Sequence, residues 1–203
     1  MSGFQGGMRM QGLLGLSALI DRFNVIVGKG VGWLILVAIL VSAANAVVRK
    51  VFSTSSNAWL ELQWYLFGAA FMLAAAYTLK QNEHVRIDVI YGRVSDRTRQ
   101  WIDLLGHVFF LMPFALLMVY YLVPYVASSF RSGEVSTNSG GLIIWPAKAI
   151  LLVGFILLTL QGVSEIIKKI AIMRGLIEDP HPFHNAKEQA ELEAQALLEE
   201  VRK

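Results

Sequence analysis

Two ionisable side chains interrupt otherwise apolar surroundings in this 203-residue chain: Glu61, between Trp59 and Trp64, and Lys148, just after Trp145 and Pro146. Charge in such a setting is costly, so these groups are expected to pair, to reach water or headgroups, or to move protons or ions. Three roles stay open for Glu61. It could pair with Arg49, Lys50 or Lys148 and lock helices together, it could relay a proton or ion, or it could face headgroups at a helix start, where the helix dipole favours a negative charge. The histidines offer a different chemistry, since a b-type haem requires a pair of them on facing membrane helices. His84 falls in a connection, His107 about one turn inside an apolar run, and His181 and His184 in a polar tail, so that pair is not formed. The spacing His181-Pro182-Phe183-His184 brings no further ligand set, and no metal centre is expected. There is no cysteine, which removes disulfides, thiolate nucleophiles, iron–sulfur clusters and Cys-containing zinc sites. The residues therefore predict no catalytic, cofactor-binding or metal site, and no enzyme.

The elements that hold these residues are set by composition. The chain is 55% hydrophobic and 16% charged, against about 45–50% and 25% for a soluble domain. Its net charge of +3 is too small and too scattered for a nucleic-acid binder. A helix needs about 20 apolar residues to cross about 30 Å of hydrocarbon. Gly30 to Val48, Leu62 to Leu79 and Leu104 to Phe130 are free of charge, and Ala149 to Ser164 becomes long enough from near Leu142 if Lys148 snorkels. The expected fold is an all-α integral membrane protein with four transmembrane helices. Arg49, Lys50, Arg131 and Lys148 fall on one side and the other 14 of the 18 Lys and Arg on the opposite side, which places both termini in the cytoplasm. The expected organisation is a cytoplasmic interfacial segment over 1–24, a membrane domain over 25–170 and a cytoplasmic tail over 171–203, with no cleaved signal peptide. The four spans are expected to form a tilted layer rather than a compact bundle.

Between the second and third spans, Val85, Ile87 and Val89 alternate with His84, Arg86 and Asp88, which reads as an interfacial segment. Ser95-Asp96 then starts a helix that reaches Phe130, about 50 Å, with Pro113 as the place for a bend. In the tail, Ala190, Ala194, Leu197, Leu198 and Val201 form a weak stripe. Ser136 to Gly141 reads as a flexible polar outer loop and a surface for an extracytoplasmic partner. The second span carries Gly68, Ala69, Ala70, Ala74, Ala75 and Ala76, and small residues four apart, as at Ala70 and Ala74, let helices approach closely in lipid. That stripe serves either docking or packing within the chain. The spans as read here are aliphatic and aromatic at mid-membrane, unlike a carrier with its own substrate path.

Several local motifs meet in order. Val47-Val48-Arg49-Lys50-Val51-Phe52 closes the first span, Trp59-Leu60-Glu61 and Gly68-Ala69-Ala70 mark the second, His84-Val85-Arg86-Ile87-Asp88 follows it, and Gly141-Leu142-Ile143-Ile144-Trp145-Pro146 opens the fourth. Over about Val25 to Ile170 the chain resembles the small membrane subunit of tripartite ATP-independent periplasmic (TRAP) transporters. The resemblance implies a bacterial inner-membrane accessory subunit that works with a large multi-span permease and a periplasmic substrate-binding protein in sodium-driven symport of an organic anion, often a carboxylate. It implies that the large subunit holds the substrate and sodium sites and that the small one braces its scaffold. Arg49, Trp59, Glu61, Gly68, Ala70, Ala74, His84, Arg86, Asp88 and Lys148 then become structural or interface residues in contact with the partner or with lipid. The alternatives are a membrane anchor of a respiratory dehydrogenase and a small exporter coupled through Glu61.

Overall fold

The computed structural model describes residues 2–54, 56–82 and 94–180. It contains α1 (Ser2–Phe52), α2 (Asn57–Gln81), α3 (Asp96–Gly106), a π-helical turn (His107–Leu111), α4 (Met112–Ser132) and α5 (Trp145–Met173). Four helical stretches, Met10–Phe52, Asn57–Gln81, Asp96–Ser132 and Trp145–Met173, are long and apolar enough to cross a membrane. These correspond to the four expected spans. His84, Arg86 and Asp88, the expected interfacial segment, and the tail stripe from Ala190 lie outside the described residues.

At the start, α1 runs through residue 24 without a break, for 51 residues in all, about 76 Å at 1.5 Å per residue. From Met10 on, its buried positions are Met10, Ser17, Asn24, Val31 and Ala38, one every seven residues. A seven-residue repeat keeps one narrow stripe of a helix against its neighbours, and here that stripe extends well before the apolar run that starts at Gly30. The stripe changes in character, polar at Ser17 and Asn24 and apolar from Val31, which is why hydropathy alone begins the span too late.

α1, α2 and α5 pack pairwise, whereas the long helix formed by α3, the π turn and α4 packs on α5. The expected layer is thus replaced by a three-helix cluster with one flanking helix. Glycines set the closest approaches. A Cβ on Gly28 would lie 2.5 Å from the Tyr77 ring, one on Gly154 would lie 2.8 Å from Met72 Cβ and 3.0 Å from its carbonyl oxygen, and one on Gly162 would lie 2.9 Å from Met112 Sδ. Ala69, Ala70 and Ala76 are buried inside this cluster, so that part of the small-residue stripe serves internal packing. Ala74 is half-buried. Gly68 faces open space, with nothing within 4 Å of where its Cβ would be.

The bend expected at Pro113 takes the form of the π turn immediately before it. Proline has no N–H and its ring crowds the carbonyl four residues back, which here is Phe109, and the wider turn relieves both. The extra residue also corrects the helix phase. From Asp103 to Ala115, both buried, 12 steps at about 100° would point them about 120° apart. Absorbing one step in the π turn brings that to about 20°, and both face α5 with Leu122 and Ser129 continuing at sevens.

Candidate functional site

Polar chemistry is concentrated at the two ends of the cluster. At the end where α2 and α5 begin, Gly133, with φ 61°, terminates α4 in the left-handed region. The chain then folds into a short hairpin: Val135 bridges Ile143, Ser136 N donates to Leu142 O at 2.9 Å and Ile144 N to Glu134 O at 3.1 Å. The loop expected to be flexible is therefore hydrogen-bonded in register. Glu61, 4% exposed, is what it closes upon. The Glu61 carboxylate accepts from Ser136 Oγ, from Asn138 Nδ2 at 2.8 Å and from Leu142 N at 2.6 Å. Asn57 Nδ2 and the Tyr65 hydroxyl add bonds to Ser139 O and Ile143 O. Gly141 is required beside it, because a Cβ there would lie 2.5 Å from Ser136 Cβ and 2.8 Å from Glu61 Oε1.

The pairing expected for Glu61 with Arg49, Lys50 or Lys148 is not what forms. Lys148 pairs with Glu134 and rests 3.9 Å from the centre of the Tyr125 ring, while Arg49 and Lys50 are exposed at the end of α1. The reason is geometric: the hairpin puts Glu134 next to Lys148 and fills the space around Glu61 with neutral donors. The Lys148 ammonium, helped by Ser129 Oγ at 2.5 Å, holds the Glu134 carboxyl below its ordinary range. Trp59, on the first turn of α2, is 48% exposed.

The opposite end carries a polar seam that charge-free stretches do not reveal. On α1, Ser17, Asp21 and Asn24 recur at i, i+4 and i+7; on α5, Gln161, Ser164, Glu165 and Lys168 recur at i, i+3, i+4 and i+7. That matched helical spacing was legible, but Asp21 reads as the end of a short apolar run and Gln161 as uncharged filler. Asn24 Nδ2 donates to Gln161 Oε1 at 2.7 Å. Gln161 Nε2 donates to Asp21 Oδ1 and to Glu165 Oε1, each at 2.8 Å. Ser164 Oγ is 2.7 Å from both Asp21 Oδ1 and Ser17 Oγ, and its single proton goes to the carboxylate, so Ser17 donates to it. Lys168 Nζ reaches Asp21 Oδ2 at 3.0 Å and Glu165 Oε1 at 2.6 Å. Next to this seam, Lys169 bridges Asp103 of α3 at 3.0 Å and Asp179 after α5 at 3.6 Å. His107 is fixed locally, donating from Nδ1 to Asp103 O at 2.6 Å.

Four apolar helices pinned at both ends by polar contacts define a polytopic α-helical membrane protein. The model of the DctQ component of tripartite ATP-independent periplasmic transporters matches residues 38–171, and the chain belongs to that family, the small permease component of these transporters. No curated protein and no solved structure matches it. The family assignment lends no support to the dehydrogenase-anchor alternative.

Proposed function

We propose that this chain is the accessory subunit that braces the immobile scaffold of a large TRAP permease in the bacterial inner membrane, both termini in the cytoplasm. The permease, fed by a periplasmic substrate-binding protein, would take up an organic anion, a carboxylate by the resemblance, with sodium, and the substrate site would lie in the large subunit. The observation that carries this reading is how the charged groups on these helices are used. Glu61, Lys148, Asp21 and Lys168 each tie one helix or loop to another, an arrangement suited to a rigid brace and not to a group that cycles between states. The interior supplies little else for a partnerless carrier: between 6% and 33% of the apolar core of each span is buried, which leaves broad apolar faces for a membrane partner and lipid. Trp64, Phe67 and Phe71 are exposed on α2 around the open Gly68, in keeping with that use.

The test is purification from native membranes in mild detergent, with mass spectrometry of what co-purifies and a visible spectrum of the same sample. A large multi-span permease in fixed ratio, without a haem band, is expected. Recovery of flavin or iron–sulfur subunits would overturn the reading, as would full uptake by the large permease reconstituted without this chain. Glu61→Gln separates brace from relay: loosened assembly supports the brace, and lost transport in an intact complex supports the relay.

A further inference from the structure

The polar seam between α1 and α5 holds an unmet demand. Asn24 is 1% exposed, and its Oδ1 has no hydrogen-bond partner. An amide turned the wrong way does not account for it. Gln161 must present Nε2 to the Asp21 and Glu165 carboxylates, so its Oε1 faces Asn24, and Asn24 must answer with Nδ2. Oδ1 is thereby left over. The donors of the seam are largely committed: both Gln161 Nε2 protons go to carboxylates, the Ser164 proton goes to Asp21, and two of the three Lys168 protons go to Asp21 and Glu165. A buried carbonyl beside hydrocarbon without a donor is costly, so something from outside the chain is expected to satisfy it.

Charge identifies what that is. Asp21 accepts from Ser164, Gln161 and Lys168, and Glu165 Oε1 accepts from Gln161 and Lys168. Two carboxylates thus face one ammonium, a formal excess of −1 in the seam. A neutral water would satisfy Oδ1 and leave that charge in place, whereas a monovalent cation meets both needs with oxygen ligands. We propose that the seam binds one alkali-metal cation, with Asn24 Oδ1 as neutral ligand and the Asp21–Glu165 pair supplying the balancing charge. The ion is a structural element of the α1–α5 contact in this reading, and the inference does not depend on the transport role proposed above.

The experiment follows thermal unfolding of the full-length chain in nanodiscs of phosphatidylethanolamine and phosphatidylglycerol, replacing N-methyl-D-glucamine chloride by sodium or potassium chloride at constant ionic strength. A rise of about 3–6 °C is expected at ten times the dissociation constant, growing with the logarithm of cation concentration, and it should vanish in Asn24→Leu and in Glu165→Gln. A wild-type curve indifferent to the cation, as a bound water would give, overturns the proposal, and so does an equal rise in both variants. Should the variants fail to fold, the wild-type curve alone decides, because N-methyl-D-glucamine is too large to enter the seam.

Discussion

Replacing glycine by alanine at two positions isolates the close approach of α2 and α5. In a helix the change gains about 1 kcal/mol of intrinsic propensity at either site. At Gly68 nothing lies within 4 Å of the new methyl group, so the gain is kept. At Gly154 the methyl would sit 2.8 Å from Met72 Cβ and 3.0 Å from Met72 O. Neither atom is the free end of a side chain, so the two backbones must separate by about 0.4–0.6 Å to reach ordinary contact. Overpacking of this kind costs about 1–3 kcal/mol. Propensity cancels in the comparison, so Gly154→Ala should be less stable than Gly68→Ala by about that amount, or about 2–12 °C at 2–4 °C per kcal/mol for a chain of this size. Fluorescence-detected size exclusion after heating the isolated subunit in detergent reads the difference. Equal melting of the two variants would mean that α2 and α5 are not held in backbone contact at Met72, and the steric reasoning would fail.

Other outcomes follow from the latches. Glu61→Gln turns one acceptor oxygen into a donor facing the donors of the hairpin, so hydrogen exchange over 134–143 should accelerate while the helices keep their protection; an unchanged hairpin would refute the latch. Gly141→Ala should reproduce that local loosening through crowding of Ser136, measured in the same way. The Glu134 pKa is lowered in the folded protein, so its contribution is complete above its ordinary value of about 4.5 and is lost as pH falls through the lowered one. Wild type should therefore exceed Glu134→Gln in melting temperature at pH 6, with the gap closing toward pH 3. Gln161→Leu removes the Asn24 and Asp21 bonds across the seam, at about 0.6 kcal/mol each and at most about 1.7, so a loss of about 1–3 kcal/mol in a denaturation titration is expected.

Long apolar runs announced the four spans because their signal accumulates over about 20 residues, and Lys80, Arg131 and the tryptophans marked their ends. Contacts between helices are a different kind of information. Glu61 was recognisable as a residue with a task, but its partners are a serine, an asparagine and a backbone N–H some 75–81 residues away, and hairpin registry, not charge complementarity, selects them. Asp21 and Gln161 escaped notice for a related reason: a polar stripe on one helix has meaning only opposite its match on another. Ser17, Asn24, Val31 and Ala38 share a spacing of seven but no residue type, so the stripe that makes α1 one helix is visible only in its burial. The π turn was half legible, since Pro113 foretells a disturbance but not the rephasing that Asp103 and Ala115 require.

The seam has a cost in time. Asn24 and Gln161 are 137 residues apart in sequence, so during synthesis at about 5–20 residues per second the first helix stands for about 7–27 seconds before its polar partner exists. Asp21, Asn24 and Ser17 spend that interval at the membrane without α5. A chain cut short anywhere before Gln161 never ends it, and presents those groups at the membrane boundary to whatever cellular machinery removes unfinished membrane proteins.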